Sequence, residues 1–278
     1  APAKDLECGM AAINHGADAV YIGAPTFGAR KSAANTIADI EKLTRYAHLY
    51  KARVYVALNT ILFDHEIAGA IDLAQQIYQA GADALIIQDF GLLEAGLPPI
   101  AIHASTQMDN RTPEKVRFLE DAGFEQIVLA RELNLQQIAA IREQTGAKLE
   151  FFVHGALCVS YSGQCYMSQS ISKRSANRGE CGQPCRLKYN LTDTQGNTLI
   201  KEKHLLSLKD FNLSDRLASL IDAGISSFKI EGRLKEKDYV ANTTAYYRAK
   251  LDAILESRTD LARLSSGKST INFTPDPY

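Results

Sequence analysis

One short pattern recurs along the chain and restricts its fold more than any other feature. A helix-like stretch stops at a glycine, a polar step follows, and then comes a run of β-branched or aromatic residues. It occurs at Gly16-Ala-Asp-Ala-Val-Tyr-Ile22, Gly81-Ala-Asp-Ala-Leu-Ile-Ile87, Gly123-Phe-Glu-Gln-Ile-Val-Leu129 and Gly224-Ile-Ser-Ser-Phe-Lys-Ile230. Glycine suits the left-handed backbone just past a helix end. Short apolar runs after such stops read as buried parallel strands. Their repetition is the sequence form of a βα-repeat architecture.

Extending the pattern predicts strands near 19–23, 53–58, 84–88, 100–104, 126–130, 149–153 and 226–230. Helices are expected at 4–15, 37–50, 65–80, 112–122, 134–144, 214–223 and 236–256. Thr112-Pro113 places a capping hydroxyl before a first-turn proline, and Asn134 with Gln137 has the spacing of a capping box. One further strand, mostly ahead of Ala1-Pro2, would complete an α/β fold of the TIM-like (β/α)8 barrel type. At 278 residues the whole chain, 1–278, fits one such barrel domain. A doubly wound open sheet is the alternative, but no glycine-rich nucleotide turn follows an early strand. The start at Ala1 without methionine and the end at Phe273-Thr-Pro-Asp-Pro-Tyr278 read as the N-terminal part of a longer protein.

The rhythm breaks once, over 154–213, after what would be the seventh strand. This stretch reads as a cysteine-rich insertion ending in a β-hairpin, 189–194 and 198–203, turned at Gln195-Gly-Asn197. A loop of that length inside a compact domain is usually functional. It leaves the C-terminal end of a barrel strand, the face where barrel active sites lie.

Four of the five cysteines, Cys158, Cys165, Cys181 and Cys185, fall in this stretch. That is not a disulfide framework, which would be shorter and denser in cysteine. There is no basic-then-apolar leader, and no apolar run approaches the ~20 residues of a membrane span. A cytoplasmic, reducing location and a metal site follow as expectations. Four thiolates suit tetrahedral zinc or an iron–sulfur cubane. The wide first pair fits a cluster better than a zinc knuckle, yet spacing alone leaves zinc, or no metal, open. Cys8 stands apart in an amphipathic helix and reads as a small buried residue.

Polar residues follow the predicted strands at Asn59, Gln88-Asp89, His103 to Gln107, Arg131-Glu132, His154 and Glu231-Gly-Arg233. Any one of them could simply cap a helix or form a rim ion pair. Together they favour a mouth that receives a polar or anionic small molecule, with His103, Gln107, His154 and Glu231 as catalytic candidates. Net charge of −1 gives no global attraction to nucleic acid. The run between Lys173 and Lys209, with Arg174, Arg178 and Lys188, is either a solvated loop or a local surface for an anionic ligand. No nucleophile elbow, P-loop or His-Glu-x-x-His is present.

The segment His154-Gly-Ala-Leu-Cys158-Val-Ser-Tyr-Ser-Gly-Gln-Cys165, preceded by Glu150-Phe-Phe, closely resembles the signature of peptidase family U32. The resemblance runs through almost the whole chain and is nearest to the branch that hydroxylates a cytidine of 23S ribosomal RNA. Tyr21-Ile-Gly-Ala-Pro-Thr-Phe-Gly-Ala-Arg30, Leu58-Asn-Thr-Ile61, His103-Ala-Ser-Thr-Gln107, Ser175-Ala-Asn-Arg-Gly179, Lys203-His-Leu-Leu206 and Phe228-Lys-Ile-Glu-Gly-Arg233 also carry it. It implies a [4Fe-4S] cluster on the four cysteines and oxygen-independent hydroxylation with prephenate as co-substrate, the electron donor being unspecified. Arg30, Arg131 and Arg233 would suit such a dicarboxylate, and Arg174, Arg178 and Lys188 the RNA. Transfer-RNA wobble-uridine hydroxylation and peptidase activity, from which the family takes its name, are the alternatives. A non-catalytic RNA-binding chaperone would predict basic groups without a polar pocket.

Overall fold

All four glycines that stop a helix are left-handed, with φ of 97° at Gly16, 82° at Gly81, 95° at Gly123 and 96° at Gly224. The computed structural model describes residues 1–28, 35–232 and 234–277. Its first half runs β1 (Pro2–Ala3), α1 (Leu6–Asn14), β2 (Ala19–Gly23), α2 (Ile37–His48), β3 (Arg53–Leu58), α3 (Asp64–Gln79), β4 (Ala84–Ile87) and α4 (Gly91–Glu94). Next come β5 (Ala101–Ala104), α5 (Pro113–Asp121), β6 (Gln126–Val128), α6 (Leu135–Arg142) and β7 (Lys148–Gly155). The expected caps form. Thr112 accepts from the Lys115 N–H at 3.3 Å, and Asn134 and Gln137 exchange reciprocal bonds of 2.9 Å.

After β7 the chain forms α7 (Met167–Ser172) and the hairpin β8 (Tyr189–Thr192) with β9 (Thr198–Lys203). It returns through β10 (Phe211–Asn212), α8 (Leu217–Asp222), β11 (Ser227–Ile230) and α9 (Lys237–Ser257). The hairpin falls where expected, whereas β10, which pairs antiparallel with β7, was not foreseen. A two-residue strand carries too little periodicity to be read from sequence.

β1 to β7 pair in chain order, and β11 pairs with β7, so eight strands run parallel. Pro2 and Ala3 supply the strand that the sequence places mostly ahead of them. The sheet curls until its ends meet, bringing Lys229 of β11 within 4.3 Å of the Tyr21 ring centroid on β2. With β1 so short, no ladder joins it to β11 among the described residues. The Tyr21 hydroxyl instead donates to the Ile230 carbonyl at 2.8 Å across the seam.

Period-two alternation divides each strand between two environments. Val54, Val56 and Leu58 of β3 face the helices and join the main core with Ile40, Leu43 and Ile77. Each fully buried aliphatic side chain contributes about 1.5–3 kcal/mol, and truncating Leu43 to alanine would cost about 2–5 kcal/mol. Tyr21, Tyr55, Ala84 and Ile86 pack separately, inside the curl. His103, Gln126, Glu150 and Lys229 share that interior through direct contacts: Tyr55 with His103, and Glu150 with Gln126 and Lys229. The inside of the barrel is therefore a small polar core.

Candidate active site at the barrel mouth

A cavity of about 360 Å³ opens above this interior. Asn59, Thr106, Gln107, Arg131 and Glu231 contribute from the chain just past β3, β5, β6 and β11. Cys158, Cys165, Cys181 and Cys185 line it from the segment after β7, and Phe152 and Lys229 reach it from the barrel interior. Strand-end residues and the cysteine segment thus meet at one mouth, the C-terminal face of the strands.

Beside Tyr161, Ser162 and Gly163 fasten the first cysteine pair to the rim. Tyr161 lies against Arg111, its ring centroid 4.2 Å from the guanidinium carbon. Ser162 donates to Glu132 from both its backbone N–H (3.1 Å) and its hydroxyl (3.2 Å). Gly163, at φ +72°, passes so close to the Gln107 carbonyl that a Cβ would stand 1.9 Å from that oxygen. Only glycine fits there. The second pair is held otherwise: the Ser168 hydroxyl accepts from Gly182 N–H at 3.0 Å, and Arg186 donates to the Leu157 carbonyl at 2.7 Å.

Arg131 is held at the mouth by three contacts. It pairs with Glu231 at 3.0 Å, donates to the Ala156 carbonyl at 3.1 Å, and stacks 3.9 Å over Phe152. Its buried Nε has no hydrogen-bond partner among the described residues. Arg131 pairs with Glu231 rather than with its neighbour Glu132, which accepts instead from Ser162.

The other candidates separate by position. His103 lies below the cavity, its ring 4.5 Å from Tyr55, and burial pushes its pKa down to about 4. His154 does not line the cavity. A register irregularity opposite Lys229 and Ile230 coincides with its turn toward α9, where it sits 5.5 Å from the Tyr247 ring. Such irregularities re-aim side chains, and burial lowers its pKa as well. Arg178 is engaged with Glu66 at 2.9 and 2.7 Å and stacks 4.1 Å over Phe63. Arg174 and Lys188 are exposed. Arg30 and Arg233 lie outside the described residues.

The four thiols are free; Cys158 is exposed and the other three partly buried. Burial raises the Cys185 thiol; Arg186 opposes this and the three other cysteines each add to it, so all four lie within electrostatic reach. Among the described residues, no three His, Cys, Asp or Glu side chains form a ready-made single-ion site. Sequence reasoning missed Glu150, Lys229, Asp109 and Arg111. Charged residues inside otherwise buried strands were the available sign for the first two.

The chain matches peptidase family U32 over residues 4–271. It is 58% identical over 274 residues to the 23S rRNA 5-hydroxycytidine C2501 synthase of Escherichia coli strain K12, covering 99% of this chain and 42% of that protein. It is 35% identical to the tRNA hydroxylation protein P1 of Bacillus subtilis strain 168, covering 91% of this chain and 62% of that protein. The structure of thiamine phosphate pyrophosphorylase from Pyrococcus furiosus is similar in fold alone, with TM-score 0.51, 13% identity and 90% of each chain covered. The chain spans less than two thirds of either of these two curated relatives. Fold and mouth together define a TIM-like barrel protein with four thiols around one cavity. The chain belongs to peptidase family U32.

Proposed function

We propose that this chain is the catalytic barrel of an enzyme that hydroxylates a cytidine of 23S ribosomal RNA. The observation that carries the reading is the 58% identity to the ribosomal-RNA synthase over 99% of the chain. Cys158, Cys165, Cys181 and Cys185 would hold a [4Fe-4S] cluster, and prephenate or a similar small anion would be co-substrate. Work on ribosomal RNA implies a cytoplasmic protein; among the described residues no helix is long and apolar enough to cross a membrane.

Four thiols around one cavity support the cluster by their chemistry. Each thiolate of a cubane binds a different iron, so its ligands are spread apart, whereas one zinc ion needs all four sulfurs about 2.3 Å from a single point. When bound, such a cluster supplies one-electron chemistry.

The chain's own groups suit an anionic co-substrate. Arg131 and Lys229 both line the cavity, paired there with Glu231 and Glu150 respectively. Both act where surrounding protein weakens solvent screening. A carboxylate bound to Arg131 would share the guanidinium with Glu231, and Gln107 offers an amide that both donates and accepts.

Transfer RNA is the alternative substrate, supported by the 35% identity to the tRNA hydroxylation protein. Peptidase chemistry would need an activated nucleophile; among the described residues the Ser162 hydroxyl donates to Glu132 and the Ser168 hydroxyl accepts from the Gly182 N–H, and neither is bonded to a histidine. Mass spectrometry of ribosomal and transfer RNA from cells lacking the gene tests the reading. Loss of hydroxycytidine from 23S RNA is expected; loss of a transfer-RNA modification alone would assign the alternative.

A further inference from the structure

Tyr161 presents an aromatic ring at the mouth in a way that packing does not explain. Its side chain is 60% exposed although it lines the cavity. A tyrosine recruited for packing would bury its ring. Here Arg111 covers the ring at 4.2 Å and leaves most of it open.

The ring is nevertheless held in place. Arg111 pairs with Asp109: Nη2 donates to Oδ2 at 2.8 Å, and Nε lies 2.5 Å from Oδ1 as an ionic contact. Asp109 sits in the left-handed region at φ 60°, which aspartate tolerates better than most residues. On the other side, Ser162 and Gly163 fix the backbone against Glu132 and Gln107. The neighbouring Tyr166, 65% exposed, has no comparable backing among the described residues, its hydroxyl lying 3.5 Å from Gln164.

We infer that Tyr161 is the stacking platform for the nucleobase once that base has left its own stack and entered the cavity. The inference rests on the reading of the chain as an RNA hydroxylase. An enzyme that does chemistry on a base must take it out of the stack. Unpaired RNA bases are recognised by stacking on aromatic side chains, a contact tolerant of sequence. Arg111 behind the ring and the exposed Arg174 and Lys188 on the cysteine segment complement a phosphate chain. Tyr161 is thus a substrate-positioning residue, and its hydroxyl is not required.

The test uses a short single-stranded RNA with 5-iodocytidine at the target position, a photoreactive base that cross-links to a stacked aromatic ring. Irradiation with the full-length wild-type protein should attach the RNA to Tyr161, located by peptide mass spectrometry. Tyr161→Ala should weaken RNA binding about ten- to a hundred-fold, whereas Tyr161→Phe and the distant Tyr78→Ala should bind as wild type. Because the cross-link is read on the wild-type protein, a poorly folded Tyr161→Ala would not obscure the result. Cross-linking elsewhere, with Tyr161→Ala binding normally, would overturn the platform and leave RNA hydroxylation standing. Failure of the wild type to bind RNA at all would overturn both.

Discussion

Lys229 and Glu150 form an ion pair inside the barrel, Nζ to Oε1 at 2.5 Å, with side chains only 7% and 6% exposed. The other carboxylate oxygen accepts from Gln126 at 2.9 Å and from the Ser227 hydroxyl at 2.7 Å. Both carboxylate oxygens and the ammonium therefore have hydrogen-bond partners, the condition for a buried charge to persist. Removing one partner leaves the other uncompensated. Glu150→Ala or Lys229→Ala should each cost about 3–5 kcal/mol by chemical denaturation. The Glu150→Leu/Lys229→Met pair should cost less than the sum of the corresponding single changes. Equal or additive losses would show that the two charges do not depend on each other.

Acid should destabilise the fold in two windows. His103 is held neutral by burial, its pKa about 4 against an ordinary 6.5. The unfolded chain therefore takes up that proton first, and stability falls as pH drops from about 6.5 to 4, by about 3 kcal/mol at ~1.4 kcal/mol per pH unit. Burial alone would raise the Glu150 carboxyl, but Lys229 and Ser227 hold it below the ordinary range. Its contribution is full above the unfolded value of ~4.3 and lost as pH falls further. Denaturation curves of wild type and His103→Gln should diverge between pH 6.5 and 4, and parallel curves there would contradict the assignment.

Gly163→Ala should separate the site from the fold. The new methyl would stand 1.9 Å from the Gln107 carbonyl oxygen in a left-handed backbone, so the segment must lift from the rim. Iron incorporated during anaerobic purification should drop several-fold, while the melting temperature shifts by under ~5 °C because the barrel core is untouched. Full iron content in the variant would mean that this close approach does not position the cysteines.

Arg178 should behave as a structural residue. Glu66 accepts two bonds from it, and the guanidinium holds that carboxyl at a pKa of about 2. Arg178→Ala should loosen the cysteine segment yet leave the salt dependence of RNA binding unchanged. Arg174→Ala or Lys188→Ala should each lower the log–log slope by ~0.7, the value for one phosphate contact on a single strand. A slope change for Arg178→Ala alone would restore it to the RNA surface.

The barrel was legible because its punctuation is local. Gly16, Gly81, Gly123 and Gly224 each end a helix through their own backbone, and Thr112 and Asn134 cap through neighbours three residues on. The four cysteines at one mouth followed from strand order and one long departure from it. Pairings across the chain were not legible. Arg131 with Glu231, and Arg178 with Glu66, join residues that only the tertiary fold brings together. His154 looked like a rim residue because the register irregularity that accompanies its turn toward α9 leaves no mark in a period-two pattern. Tyr161 lay inside the quoted signature, but its importance rests on Arg111 and Asp109, far off in sequence.

Ribosomal-RNA hydroxylation is proposed for the four-thiol mouth of this barrel. The most direct measurement is mass-spectrometric quantification of 5-hydroxycytidine in 23S RNA from cells lacking the gene, complemented with the full-length wild-type gene or with its Cys181→Ala or Cys8→Ala variant. Cys8 is buried between α1 and the loop before α9, where its thiol lies 3.9 Å from the Lys235 carbonyl. Wild type and Cys8→Ala should restore the modification, and Cys181→Ala, expressed at the same level, should not. Restoration by Cys181→Ala, or unchanged hydroxycytidine in the deletion itself, would contradict it.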